Sequence, residues 1–206
     1  MQRNNPTALE RAVKRAWQRT ASDRLPFVAA LAVGLAAQRF ALANKLVNAD
    51  EIESLFGKGA TLTSGRWGLE AAKLIFPDYS MPWLYGLVSL ILLAVSVCLI
   101  MRLYEIKSPL MRVLLAGMIV AFPSQTGTFC FMFTSAPYAL AFLFAVLAAY
   151  LGCRGGWGSC AAAVLLLAAS LGIYQAYIAL TESLLLLYAV MLGLDEEQSL
   201  KTIALY

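Results

Sequence analysis

The sequence predicts an all-α, polytopic membrane protein of about six spans, and three observations predict it. The chain of 206 residues is 61% hydrophobic and only 14% charged, where a soluble domain carries about a quarter of charged residues. Its mean hydropathy is +0.72. The charge is also segregated: between Val113 and Leu194 the sole acids and bases are Arg154 and Glu182. Apolar stretches so long and so poor in charge belong in a bilayer, where a helix satisfies its own backbone hydrogen bonds.

Composition excludes several chemistries. Histidine is absent, which removes His-ligated metal sites and every nucleophile–histidine pair. Cys98, Cys130, Cys153 and Cys160 have no CxxC spacing and lie in or beside apolar runs, so they read as small hydrophobes. No repeat and no Pro- or Ser-rich linker divides the chain, and residues 1–206 read as a single transmembrane domain.

Residues 1–24 carry Arg3, Arg11, Lys14, Arg15, Arg19 and Arg24 against Glu10 and Asp23. Leu9, Val13, Ala16 and Trp17 have helical spacing, which predicts a basic helix on the cytoplasmic surface. Residues 26–47 form the first span, interrupted late by Gln38 and Arg39. Ala41-Leu42-Ala43 also fits a signal-peptide cleavage site, but the basic region is long for a signal and Arg39 breaks the run just before it. An uncleaved span is the better reading. Residues 48–82 then lie outside.

Spans two to six occupy residues 83–194. Residues 83–101 contain no charge, and 19 residues suffice for a hydrocarbon core of about 30 Å. Arg102, Lys107 and Arg112 mark a cytoplasmic turn. Pro109 begins the third helix, which runs to Phe122 and breaks at FPSQTG. Residues 129–153 return inward to the glycine-rich turn CRGGWGS. The last apolar stretch, 160–194, is about 50 Å long as one helix. The break is placed at GIYQAY, giving two short spans, with a single strongly tilted helix as the alternative. Residues 195–206 are the cytoplasmic tail.

This topology gathers the polar side chains of the outer side into three connections: 48–82, 124–128 and 174–177. Asp50, Glu51, Glu53, Arg66, Ser124, Gln125, Tyr174, Gln175 and Tyr177 fall there. Within the first, SGRWGLEAAKLIF predicts a short interfacial helix over 64–76. Trp67, Ala71, Leu74 and Ile75 make an apolar stripe beside a polar one of Arg66, Glu70 and Lys73. Arg66 then sits at lipid-phosphate depth, where a guanidinium forms parallel hydrogen bonds. The competing readings are structural. The three acids solvate a loop, Arg66 pairs with Glu70 at i,i+4, Arg39 and Lys45 snorkel, Glu182 is packed inside, and the tyrosines are interface aromatics.

NADE just beyond the first span, then SGRWG with its interfacial helix, and YQAY at the outer end of a later span resemble the bacterial O-antigen glucosyltransferases (Gtr type II-like) of the polytopic GT-C class. The resemblance covers roughly residues 26–194. It implies transfer of a hexose, usually glucose, from a polyprenyl-phosphate carrier to an outer-leaflet or periplasmic glycan such as O-antigen, in the bacterial inner membrane. It also implies that this chain is the N-terminal part of a longer enzyme. By the same resemblance the first-loop acid is the general base, mapping to Asp50 with Glu51 as partner, and the loop arginine is Arg66. Trp67, Gln125, Tyr174, Gln175 and Tyr177 complete the expected substrate-binding set.

The residues suit those roles. Attack on an anomeric carbon needs a carboxylate to take the acceptor hydroxyl's proton. The phosphate leaving group needs no acid, only a cation beside its developing charge. No cofactor is expected. Asp50, Glu51 and Glu53 are together able to ligate a divalent ion, but the metal-free reading is favoured. The expected partners are the lipid-linked donor, the glycan acceptor and the bilayer, with no nucleic acid. The rival reading is a non-catalytic module that binds or flips a polyprenyl-linked sugar, or a non-catalytic subunit of a glycosylation complex. The topology is testable. In a cysteine-free background, a cysteine at Lys58 is expected to react with impermeant thiol reagent in intact cells, and reaction only after membrane disruption overturns the orientation.

Overall fold

The computed structural model describes residues 23–46, 48–56 and 62–194. The expected basic helix at 8–19, Lys58 and the cytoplasmic tail lie outside the described residues. Nine α-helices follow one another within them: α1 Arg24–Ala43, α2 Ala49–Phe56, α3 Trp67–Ala72, α4 Pro82–Leu103, α5 Pro109–Val120, α6 Pro123–Cys130, α7 Met132–Gly152, α8 Trp157–Ile173 and α9 Ile178–Leu194. A 3-10 turn, Gln175–Tyr177, precedes α9. No strand occurs among the described residues.

Among the described residues, four segments are long and apolar enough to cross a membrane: α1, α4, α7 and the 3-10 turn with α9. A fifth crossing forms if α5 and α6, which meet at 41°, count as one bent span. The apolar α8, at 17 residues, is shorter. About six passages are compatible with this arrangement, and the chain is a multi-pass membrane protein. The break expected near GIYQAY is present, with Tyr174 in extended conformation between α8 and the 3-10 turn.

Small residues set the packing. Helix α7 lies along both α4 and α8, and its Ala136, Ala139, Ala145 and Ala149 are buried. Such residues let backbones approach closely where no hydrophobic effect drives association. Hydroxyls then join the helices. Ser170 of α8 donates to the Ala141 carbonyl at 2.8 Å, and Thr181 of α9 donates to the Ala145 carbonyl at 3.1 Å. Helix α1 packs on α4 at two glycines: a Cβ on Gly34 would collide with Leu90, and one on Gly86 with Leu42. At the opposite end of that pair Arg102 makes a two-point ion pair with Asp23.

The α5–α6 junction departs from the expected open connection at 124–128, because α6 is helical there. Pro123 can start a helix but holds Phe122 extended, so the helix axis turns. A break of this kind strands carbonyls in an apolar setting. Gln38, buried in α1, lies against it. Its amide Nε2 donates to Thr126 Oγ1 at 3.2 Å and makes a longer contact, 3.5 Å, to the Val120 carbonyl. The polar residue that interrupts the first span is therefore a cap for another helix. Gln38→Leu keeps the volume and removes both donors. It is expected to lower stability by about 1–3 kcal/mol, read from thermal unfolding in detergent, and an unchanged melting temperature would show that the bend does not depend on this amide.

Candidate functional site

The connection between α1 and α4 folds against the end of the bundle that carries α6, the start of α7 and the break after α8. Its first part is built by Asn48. The Asn48 Oδ1 accepts the Glu51 N–H at 2.9 Å, the N-cap to third-residue bond that starts α2, and Asn48 Nδ2 donates to the Cys130 carbonyl at 3.1 Å. NADE is thus a helix start, with the N-x-x-E spacing of a capping box. Glu51, however, does not turn back to its cap. It is 1% exposed, accepts the Ser80 N–H on Oε1 at 2.9 Å and pairs with Lys45 at 3.4 Å. Glu51 therefore ties the start of α2 to the entrance of α4.

Helical rotation separates the acids. Residues three apart share a face, whereas adjacent residues diverge by about 100°. Asp50 and Glu53 face a cavity of about 630 Å³, and Glu51 is absent from its walls. The three acids do not converge, and among the described residues no group of three or more potential metal ligands does.

The second part is built by SGRWG. Gly65 has φ +77° and closes a turn that a side chain would strain. Gly68 meets Gly172 of α8 so closely that a Cβ on Gly68 would lie 2.8 Å from the Gly172 carbonyl carbon, and one on Gly172 would lie 2.5 Å from the Trp67 ring. Gln175 donates through Nε2 to the Ser64 carbonyl at 2.9 Å. The loop and the YQAY break are therefore one unit. Helix α3 buries Gly68, Leu69 and Ala72 and exposes Trp67 and Ala71, while Leu74 and Ile75, the rest of the expected apolar stripe, are exposed in the turn that follows it. It is shorter than expected, because turns occupy 62–65 and 73–75.

Arg66 does not pair with Glu70. Glu70 binds Lys73, which also binds Asp78, both at 2.8 Å. Burial opposes the Lys73 charge, but the two carboxylates outweigh it and raise its pKa above the ordinary lysine value. Arg66 instead enters the cavity, where Nη1 donates to the Tyr138 hydroxyl at 3.2 Å and the guanidinium lies 5.5 Å from the Tyr174 ring centre. Tyr138 and Tyr174 stack at 4.5 Å with 21° between planes. Tyr174 meets Tyr177 edge-on at 5.2 Å, and Tyr177 meets Phe142 at 5.5 Å.

Of the residues expected at the site, Asp50, Arg66 and Tyr174 line the cavity. Gln175 and Tyr177 support it from behind through Ser64 and Tyr174. Trp67 lies outside it against Gly172. Gln125 is buried in a smaller neighbouring cavity of about 280 Å³ with Leu115, Met118, Ile119, Phe122 and Phe142, and Ser124 lines both. Sequence reasoning missed Tyr138 and the weight of Glu53. The available signal for Tyr138 was a phenol six residues into an otherwise apolar span, with no charge near it to explain it.

A cavity lined by an arginine and two carboxylates can bind an anionic group beside a hydroxyl and deprotonate the latter. The family comparison agrees in class: residues 39–206 match the model described as glucosyl transferase GtrII. This chain belongs to that family. No curated protein and no solved structure matches it. As a member of the GtrII glucosyltransferases, it takes a sugar donor and an acceptor in a membrane setting, and the cavity at the bundle end is its candidate site.

Asp50 and Glu51 are adjacent but differently placed, and stability measurements separate them. Glu51→Ala leaves the buried Ser80 N–H without its acceptor and is expected to cost about 1–3 kcal/mol. Asp50→Asn, on the open wall, is expected to change stability by less than about 0.5 kcal/mol. Equal losses in thermal unfolding would contradict this division.

Proposed function

We propose that this chain carries the donor site of a glucosyl transferase that moves a hexose from a polyprenyl-phosphate carrier to an outer-leaflet or periplasmic glycan such as O-antigen. One observation carries the reading: Arg66, with no carboxylate partner among the described residues, shares a cavity with Asp50. A guanidinium neutralised by an acid has little left for a substrate, whereas one held by a phenol and a ring face keeps its charge for an incoming anion. In this reading the N-terminus is cytoplasmic and the cavity faces outward in the bacterial inner membrane. The apolar cavity at Gln125 suits the first isoprene units, because Ser124 joins it to the polar one.

The chemistry is a single displacement. The acceptor hydroxyl oxygen attacks the anomeric carbon as Asp50 takes its proton. The bond from that carbon to the phosphate oxygen breaks, and its electron pair leaves with the polyprenyl phosphate. Arg66 stabilises the charge gathering on that oxygen. Asp50 sits in the first turn of α2 and lines the cavity that Arg66 enters. Glu51, the supporting group of the sequence reading, acts by holding α2 to Ser80.

Asp50→Asn keeps shape and hydrogen bonding while removing the base. In membranes containing the full-length enzyme it is expected to abolish transfer from radiolabelled polyprenyl-phosphate glucose while sparing donor binding, and Glu51→Gln is expected to slow transfer less. Full activity of Asp50→Asn would sink the assignment. Transfer that survives Asp50→Asn but not Glu51→Gln would move the base one residue along, and donor binding without transfer by the unmutated full-length enzyme would favour a binding or flipping module.

A further inference from the structure

We infer that Tyr138 is a positioning residue that fixes which edge of Arg66 meets the donor phosphate, an inference that rests on the reading of Arg66 as the phosphate ligand. A guanidinium offers a phosphate two useful edges: the end-on pair Nη1 and Nη2, or the side-on pair Nε and Nη2. The Tyr138 hydroxyl occupies Nη1 at 3.2 Å. The Nε–H is shut off from solvent and has no acceptor among the described residues. A buried donor left unsatisfied in this way costs free energy that an arriving acceptor recovers. The side-on edge is the one that lacks an acceptor.

Three contacts hold that presentation. Tyr138 stands on α7 and cannot move with the loop, so its hydroxyl is a fixed point for Nη1. Its ring stacks on Tyr174 at 4.5 Å, which places the second ring 5.5 Å from the guanidinium carbon. Tyr174 belongs to the break after α8, to which the loop is bound by Gly68 against Gly172 and by Gln175 with Ser64. A phosphate oxygen that binds Nη2 completes the fork at Nε when the groups covering that edge give way to it. Tyr138 touches no reacting atom in this arrangement and acts only through Arg66.

The test is a double-mutant cycle on donor affinity. Binding of polyprenyl-phosphate glucose, and of polyprenyl phosphate without sugar, is measured for the 206-residue chain in nanodiscs. The proteins are the unmutated chain, Tyr138→Phe, Arg66→Ala and the double variant. Tyr138→Phe keeps the stacked ring and hence the fold, which its thermal unfolding checks. It is expected to weaken both lipids by the same factor, about three- to tenfold, as for the loss of one ordinary hydrogen bond. Arg66→Ala is expected to weaken them more, and adding Tyr138→Phe to it is expected to change nothing further.

The outcomes that overturn the inference are distinct. A loss from Arg66→Ala with none from Tyr138→Phe removes the positioning role and leaves the phosphate site standing. The same Tyr138→Phe loss in both backgrounds means that the phenol acts independently of Arg66. A loss confined to the sugar-bearing lipid places the hydroxyl on the hexose instead. Unchanged binding in Arg66→Ala rejects the phosphate reading itself, and the inference with it.

Discussion

A helix that breaks inside a membrane strands backbone donors and acceptors that lipid cannot satisfy, and this chain breaks two of its helices on one side. The α5–α6 bend and the Tyr174 interruption bracket the cavity, so the same departures from regular helix that endanger the fold make the room for a site. Each is made tolerable by polar groups from elsewhere in the chain. Gln38 reaches from α1 to the first break through Val120 and Thr126. At the second, the Tyr174 N–H bonds the Ser170 carbonyl at 2.8 Å, and the Ser170 hydroxyl is spent on α7. The 62–73 segment then covers the break, Gly68 against Gly172.

The cover also explains why a loop carries the charges. An arginine placed on a span would have to be desolvated during insertion. Arg66 arrives instead from a segment docked at the bundle end and finds partners that do not neutralise it. Tyr138 accepts one hydrogen bond, and Tyr174 offers a ring face. Asp50 and Glu53 line the same cavity from α2, and neither forms an ion pair with Arg66. Opposite charges that share a space without meeting are an arrangement in which a substrate, not an internal ion pair, completes the electrostatics.

The sequence made the spans, the interfacial stripe and the YQAY break legible because each leaves a periodic or compositional trace. Uncharged runs fix where helices cross, and Trp67, Ala71, Leu74 and Ile75 repeat at helical spacing. Asp50, Arg66 and Tyr174 were reachable because topology alone puts their connections on one side. Side-chain direction leaves no such trace. Whether Gln125 turns to one cavity or its neighbour depends on the α5–α6 bend, and that bend depends on Gln38, more than eighty residues earlier. Tyr138 was hidden by its apolar neighbours, since period and hydropathy treat a phenol in a span as packing.

The fate of the three acids follows from a single helix start. Had 48–53 been an open loop, Asp50, Glu51 and Glu53 would have been equivalent candidates, free to turn to one ion or one substrate. Asn48 starts a helix instead, and from that point rotation decides. The third residue after the cap points back towards the bundle, where the Ser80 N–H awaits an acceptor and Lys45 a counter-charge. Its neighbours at the second and fifth positions must then face away, over the cavity. Anchoring and chemistry are thus assigned to different carboxylates by geometry, although all are acids of similar reach. The anchored one is needed for the others to hold their direction, because α2 has only eight residues, too few to hold itself in place by helix propensity.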